Sequence, residues 1–226
     1  VPHREARRAT APSQTRPDLV GVRDGSPEAM FDVGIAALGG MRRFVSRGDR
    51  VLIKPNVSWN VEPETGATTK PRLVARIVEH AVEAGASRVL VMDHTIDTWQ
   101  LAYSATGMER FAKPAGARLV PGNSESLYQT VAVPGGINLR NVQVHEALLE
   151  ADVFINVPIL KDHGSTGITC ALKNLMGVVW DRWYYHRHGL NQCIADFPLV
   201  RKPDLNVVDA YTVMLEGGPR GSSYRS

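Results

Sequence analysis

Four short apolar runs punctuate the chain, and each one ends in polar residues. They occupy 51–53 within RVLIKPN, 89–92 within SRVLVMDHT, 153–157 within ADVFINVP and 205–208 within LNVVDA. Runs of this length, rich in Val and Ile, fit strands buried on both faces. The segments between them carry helical signals. Ser26-Pro27-Glu28 opens a helix predicted over 27–38, with Ser as cap and Pro in the first turn, and Gly39-Gly40 stops it. Leu73, Ile77, Val78, Ala81 and Val82 share one side of a helix predicted over 70–84, which Gly85 caps. Further helices are expected over 97–113, 145–150 and 191–200. A short strand is expected at 19–22, a helix-to-strand return at 116–120, and an exposed alternating strand at 128–133 turned by Pro134-Gly135-Gly136. Strands alternating with helices in this order predict an α/β fold, a mainly parallel doubly wound sheet with helices on both faces.

If the strands are parallel, their polar ends share one rim, where ligands bind in open α/β sheets. The residues concerned are Lys54 and Asn56, Asp93 and His94, Asn156, Lys161 and His163, then Asp209 and, further on, Glu216. The richest stretch is LKDHGSTGITCALKNLMG, 160–177. Its spacing predicts a helix beginning near Ser165 or Thr166 as N-cap, with Ile168, Leu172 and Leu175 inward and Thr166, Thr169 or Cys170, and Lys173 on the opposite face. Lys173 and His163 are then catalytic candidates together with Asp93: an amine and an imidazole near neutral pKa can exchange protons. Lys54, Asn56, Lys161, Thr166 and Asn174 are candidates for holding a cofactor or anionic ligand, although Asn174 equally suits a cap or backbone contact. The Asp93-His94 pair reads either as a carboxylate-oriented base or metal ligand pair, with His94 and His163 as metal candidates, or as a helix cap followed by a surface His. The GSTG turn is an anion cradle only in a weak sense, because it lacks the order of a phosphate-binding loop. His186 and His188, among Trp180, Trp183, Tyr184 and Tyr185, read as an aromatic lid or interface patch; their spacing matches no compact zinc signature.

Composition narrows the classes. A chain of 226 residues with ordinary apolar content fits one α/β domain over 19–226. Its formal charge of +3, with basic residues scattered among nearly as many acids, argues against nucleic acid as partner. No apolar run is long enough for a membrane span. Two cysteines, Cys170 and Cys193, cannot supply an intrinsic iron–sulfur cluster. The first 18 residues, VPHREARRATAPSQTRPD, lack apolar periodicity and begin without Met. They read as a flexible lead-in, as the stretch left behind when an export signal is removed, or as an arbitrary boundary.

VLIKPNVSWN, AGASRVLVMDHT, NVPILKDHGSTGITCALKNLMGV and KPDLNVVDA followed by EGGP together resemble the uncharacterised bacterial and archaeal family catalogued as domain of unknown function three-hundred-sixty-two. Many of its members are fused to ferredoxin-like cysteine motifs, which this chain lacks. The resemblance implies an exported or periplasmic variant, with a cytoplasmic location as the alternative. It also implies a sheet left incomplete at the C-terminus, its last strand and helix missing, disordered or supplied in trans, hence a homo-oligomer or a partner protein. A more distant similarity is to the nickel-pincer lactate racemases, which also have a DHT-like strand end and a His followed ten residues later by a cofactor-anchoring Lys, the interval of His163 and Lys173. The expected activity is redox or metal-cofactor chemistry on a small anionic substrate; the alternative is a non-catalytic anion- or metal-binding accessory protein.

Overall fold

The computed structural model describes residues 17–221. Of the predicted lead-in only Pro17 and Asp18 fall within it, and 222–226 lie outside. In chain order the main elements begin with α1 (Pro27–Ala37), β1 (Arg50–Pro55), α2 (Pro71–Ala84), β2 (Arg88–Asp93), α3 (Trp99–Ala105), α4 (Met108–Ala112) and β3 (Arg118–Pro121). Next come β4 (Tyr128–Ala132), β5 (Asn141–His145), α5 (Glu146–Leu149), β6 (Val153–Val157), β7 (Ile159–His163), β8 (Gly167–Thr169) and α6 (Ala171–Asn174). The chain continues with α7 (Arg182–Arg187), α8 (Leu190–Asp196), β9 (Leu205–Asn206) and β10 (Asp209–Met214).

The four apolar runs lie side by side as predicted, although the last is strand only over Leu205–Asn206 and Val208, expected within it, is 43% exposed. With β3 they build a five-stranded sheet of order β3-β2-β1-β6-β9, parallel throughout. Because side chains alternate across a strand, each unbroken apolar run is divided between two cores. Val51, Ile53, Val89, Val91, Val153 and Ile155 pack under α1, α2, α3 and α4. Leu52, Met92 and Phe154 face the other layer, formed by the β4-β5 hairpin, α5, α8 and the turn at 175–178. Moving outward from β1, one neighbour is the next main-sheet strand in the chain, β2, and the other is β6. The strand order therefore reverses between β1 and β6, and a crevice opens outside their C-terminal ends.

Local signals held where sequence and packing agree. Ser26 caps α1 with its hydroxyl accepting from the Ala29 amide at 3.3 Å, and Gly85 ends α2 at φ 103°. Three expectations did not hold. Residues 19–22 form no strand. The helix expected over 97–113 is two short helices, α3 and α4, parted at Gly107, whose φ of 71° leaves the right-handed helical region. The 160–177 stretch is not one helix. Residues 159–169 form the antiparallel β7-β8 hairpin, with Lys161 opposite Thr169 and His163 opposite Gly167, and β10 lies parallel to β7 on its other side. The true period there is two: Ile159, Lys161 and His163 are buried while Leu160 and Asp162 are not. Ile168 and Leu172, expected inward, are 54% and 51% exposed. Helical geometry is confined to one turn, α6, and the Cys170 at its N-cap makes no side-chain cap bond, so neither Ser165 nor Thr166 starts a helix.

An apolar groove of about 490 Å³ lies beside the short edge strand β9, bounded by α1, Leu19, Val22 and Tyr211. Among the described residues, no helix is long and apolar enough to cross a membrane.

Candidate functional site

The crevice at the reversal point is a cavity of about 760 Å³. Lys54, Asn56, Asp93, His94, Lys161, His163, Lys173 and Asn174 all border it, so eight of the nine predicted site residues meet in one place. Thr166 does not: its hydroxyl turns back to the Ile168 carbonyl at 2.9 Å in the exposed hairpin turn. The hairpin delivers Thr169 to the cavity in its stead. Asp209 is also elsewhere, accepting from the Lys70 amide at 2.7 Å and bordering the β9 groove.

At the cavity floor, Lys54 Nζ lies 2.7 Å from Asp93 Oδ1, and both side chains are essentially inaccessible. The two charges attract directly, and Oδ1 has no other donor among the described residues. Asp93 Oδ2 accepts from the Val57 amide at 2.7 Å. Burial holds the Lys54 ammonium below its usual range, and Asp93 opposes that shift. Room for the pair comes from Gly177: a Cβ there would stand 2.0 Å from Asp93 Oδ1 and 2.6 Å from Lys54 Nζ.

A chain of amides ties the strand ends together. Asn206 Oδ1 accepts from Asn156 Nδ2 at 2.8 Å, and Asn156 Oδ1 accepts from Asn174 Nδ2 at 2.8 Å. Asn174 Oδ1 in turn accepts from Lys54 Nζ at 3.1 Å and Asn56 Nδ2 at 3.2 Å. Of the readings drawn for Asn174, the backbone contact is present, since its Nδ2 also reaches the Lys54 carbonyl at 3.2 Å, and the cap is not. Lys161 Nζ donates to the Ala67 carbonyl and stands 3.5 Å from Asn56 Oδ1.

The two histidines differ in what they offer. His94 Nδ1 is 2.9 Å from the Val179 carbonyl, which can only accept, so Nδ1 carries the proton and Nε2 keeps its lone pair. It is this carbonyl, and not Asp93, that orients the ring. His94 also stacks on Trp180, centroids 5.1 Å apart and planes within 2°. His163 Nδ1 accepts from the Ser165 amide at 3.1 Å, which places the proton of its neutral ring on Nε2. Burial lowers both to about 4, helped at His94 by Arg182 and at His163 by Lys173 and Lys161.

Lys173 reaches the cavity from the single turn of α6, which is too short to carry an appreciable helix dipole. Its amine has no hydrogen bond or ion pair among the described residues. Burial, then Arg182 and Lys54, lower it to about 8. Lys161 falls to about 7, chiefly through burial. The sequence reading missed Arg182, whose guanidinium is fixed on the His94 and Thr95 carbonyls at 2.8 and 3.3 Å. WDRW was read only as an aromatic lid or interface patch. Trp180, Trp183 and His186 of that segment do border the cavity, whereas His188 bonds the Tyr184 carbonyl away from it.

Residues 51–225 match a family described as Domain of unknown function (DUF362). The thylakoid-associated protein sll1697 of Synechocystis sp. is 26% identical over 203 residues, covering 86% of this chain and 62% of that protein. This chain thus spans less than two thirds of that relative's length. The lactate racemase apoprotein from Thermoanaerobacterium thermosaccharolyticum shares the fold, with a TM-score of 0.53 over 81% of this chain and 49% of that one, at 15% identity.

Proposed function

The chain belongs to the Domain of unknown function (DUF362) family, and on that footing we propose that the cavity at the sheet's reversal point is an active site for acid–base chemistry on a small anionic substrate. The observation that carries this reading is the Lys173 amine, without a partner among the described residues, in a cavity that His163, three further cationic side chains and two carboxylates also border. A lysine poised at about 8 has a sizeable neutral fraction near pH 7.5, so Nζ can take a proton from a bound substrate. His163 presents Nε2–H as a hydrogen-bond donor, and the Lys54–Asp93 pair with Asn174 holds the floor in register. The test is native mass spectrometry of protein purified from its host, comparing wild type, Lys173→Ala and Lys173→Arg. Loss of a co-purifying anion in Lys173→Ala, with the circular dichroism spectrum unchanged, supports an anion contact at Lys173, and loss in Lys173→Arg as well supports a role that guanidinium cannot fill. Full retention by Lys173→Arg would leave Lys173 a source of positive charge alone.

A metal-bearing organic cofactor is a second reading, favoured by His94, whose Nδ1–H is anchored on a carbonyl in the manner of metal-ligating histidines. His163 fits less well, because its second ring nitrogen accepts a bond instead of donating one. Among the described residues no three His, Cys, Asp or Glu side chains gather as a ligand set. A bare ion is therefore not supported, and a metal would arrive on a carrier whose anionic groups Lys161 and Lys173 would hold. Such a group would supply Lewis acidity; this chain's own part is to bind and orient. Elemental analysis of the host-purified protein tests it. Redox chemistry draws no support from the cysteines, neither of which borders the cavity. Export remains a proposal resting on the Arg-rich first 18 residues, and self-association one resting on the groove beside β9; cell fractionation and analytical ultracentrifugation test them.

A further inference from the structure

The charges around the cavity do not balance, and the imbalance specifies a ligand more narrowly than its being an anion. Four cationic side chains border the cavity: Lys54, Lys161, Lys173 and Arg182. Two carboxylates do so. Asp93 is already matched by Lys54 at 2.7 Å. Asp181 is turned to its own helix, with Oδ1 accepting from the Tyr184 amide at 2.9 Å and Oδ2 3.6 Å from Arg187. Lys161, Lys173 and Arg182 are left without a countercharge. The partners of Lys161 and Arg182 are neutral carbonyl and amide oxygens, and Lys173 has none among the described residues. Lys161 is withdrawn from water and Lys173 and Arg182 are partly so; cations in such places without a countercharge are costly, so the site is incomplete as it stands.

Two further atoms point the same way. Thr169, 2% exposed and bordering the cavity, has a hydroxyl with no hydrogen-bond partner among the described residues. His163 Nε2–H adds a neutral donor. A monoanion would leave two of the three cations unmatched. A dianion leaves one, and that one is shared among three donors spread around the cavity.

We propose that the cavity binds a small organic dianion, either a dicarboxylate or a phosphomonoester, with Lys161, Lys173 and Arg182 facing its two charges. This rests on the anion-site reading above and names the class of ligand. Thermal shift and calorimetry at constant ionic strength with the purified protein test it, using succinate against butyrate and glycerol 3-phosphate against glycerol. The expected result is that at least one dianion binds tenfold or more tightly than its lower-charge partner, and which one identifies the source of the charge. Lys161→Met should shrink that ratio, whereas Lys161→Arg should keep or enlarge it. If butyrate binds as tightly as succinate and glycerol 3-phosphate gains nothing over glycerol, the dianion proposal fails while an anion site survives. If no probe binds and wild type carries no co-purifying anion, both readings fall.

Discussion

Lys54 and Asp93, from the neighbouring strands β1 and β2, meet as a fully buried ion pair at 2.7 Å directly over Gly177. Two charges without water are tolerated because the amide chain from Asn174 and the Val57 amide surround them with dipoles. Removing one partner strands the other. Asp93→Asn is expected to lower stability by roughly 3–5 kcal/mol, and Lys54→Met/Asp93→Asn by less than the sum of the single changes. Urea unfolding of the three variants measures this, and strict additivity would mean the pair is not coupled.

Gly177→Ala is a one-carbon change with an outsized consequence. Its Cβ would stand 2.0 Å from Asp93 Oδ1 and 2.5 Å from Lys54 Cε, well inside contact distance. Overpacking of this kind costs about 1–3 kcal/mol, and relief requires the ion pair to move. Loss of anion binding should therefore accompany the drop in melting temperature. Wild-type affinity in Gly177→Ala would show that the pair's placement does not matter to the ligand.

Asn174 is 3% exposed and serves four partners: Lys54 Nζ, Asn56 Nδ2, Asn156 Oδ1 and the Lys54 carbonyl. Asn174→Ala leaves these groups dry and unpaired, at a cost of roughly 1–3 kcal/mol. Asn174→Asp keeps the acceptor facing Lys54 but loses both Nδ2 donations. It should weaken anion binding more than it weakens the fold, because it also adds negative charge to the floor. Equal loss of both in a denaturation and calorimetry comparison would argue for a purely structural role.

The pH dependence has two parts of defined sign. His94 and His163 are lowered by burial, and then by their cationic neighbours, from 6.5 to about 4. Between those values the unfolded chain binds more protons than the folded one, so the stability from these rings is complete above pH 6.5 and is lost as pH falls to 4. Lys161 and Lys173, at about 7 and about 8 from a starting 10.5, act in the same direction at higher pH: stability rises as pH climbs from 7 towards 10. Melting temperatures of wild type and His94→Gln across pH 4 to 7 check the first part, with a flatter profile expected for the variant.

Anion affinity should run the opposite way to the lysines' contribution to stability. Protonated amines attract the ligand, so succinate binding is expected to weaken as pH rises from 6 to 9, by up to about tenfold per pH unit for each proton taken up on binding. Calorimetry in buffers of different ionisation enthalpy counts those protons. A flat profile would assign the attraction to Arg182, which keeps its charge throughout.

Much of this architecture could be read along the chain because it depends on local periodicity. Val51 to Ile53 and Val153 to Val157 are apolar at nearly every position, which only a strand covered on both faces requires, and helical segments between such strands demand parallel pairing. The convergence of Lys54, Asn56, Asp93 and His94 needed only that the strands run in one direction, whereas His163 arrives on the separate β7-β8 hairpin. Tertiary structure decided what periodicity could not. The spacing of Ile168, Leu172 and Leu175 fits a helix, but pairing of Lys161 with Thr169 and of β7 with β10 satisfies that backbone in a sheet, so local pattern yielded to long-range hydrogen bonding. That choice turned Thr166 outward and Thr169 inward. It also left Lys173 to be tuned by burial and by Arg182, a cation nine residues away whose place beside His94 no local pattern encodes. Electrostatic partnership depends on distances through space, and the order of residues along the chain does not contain them.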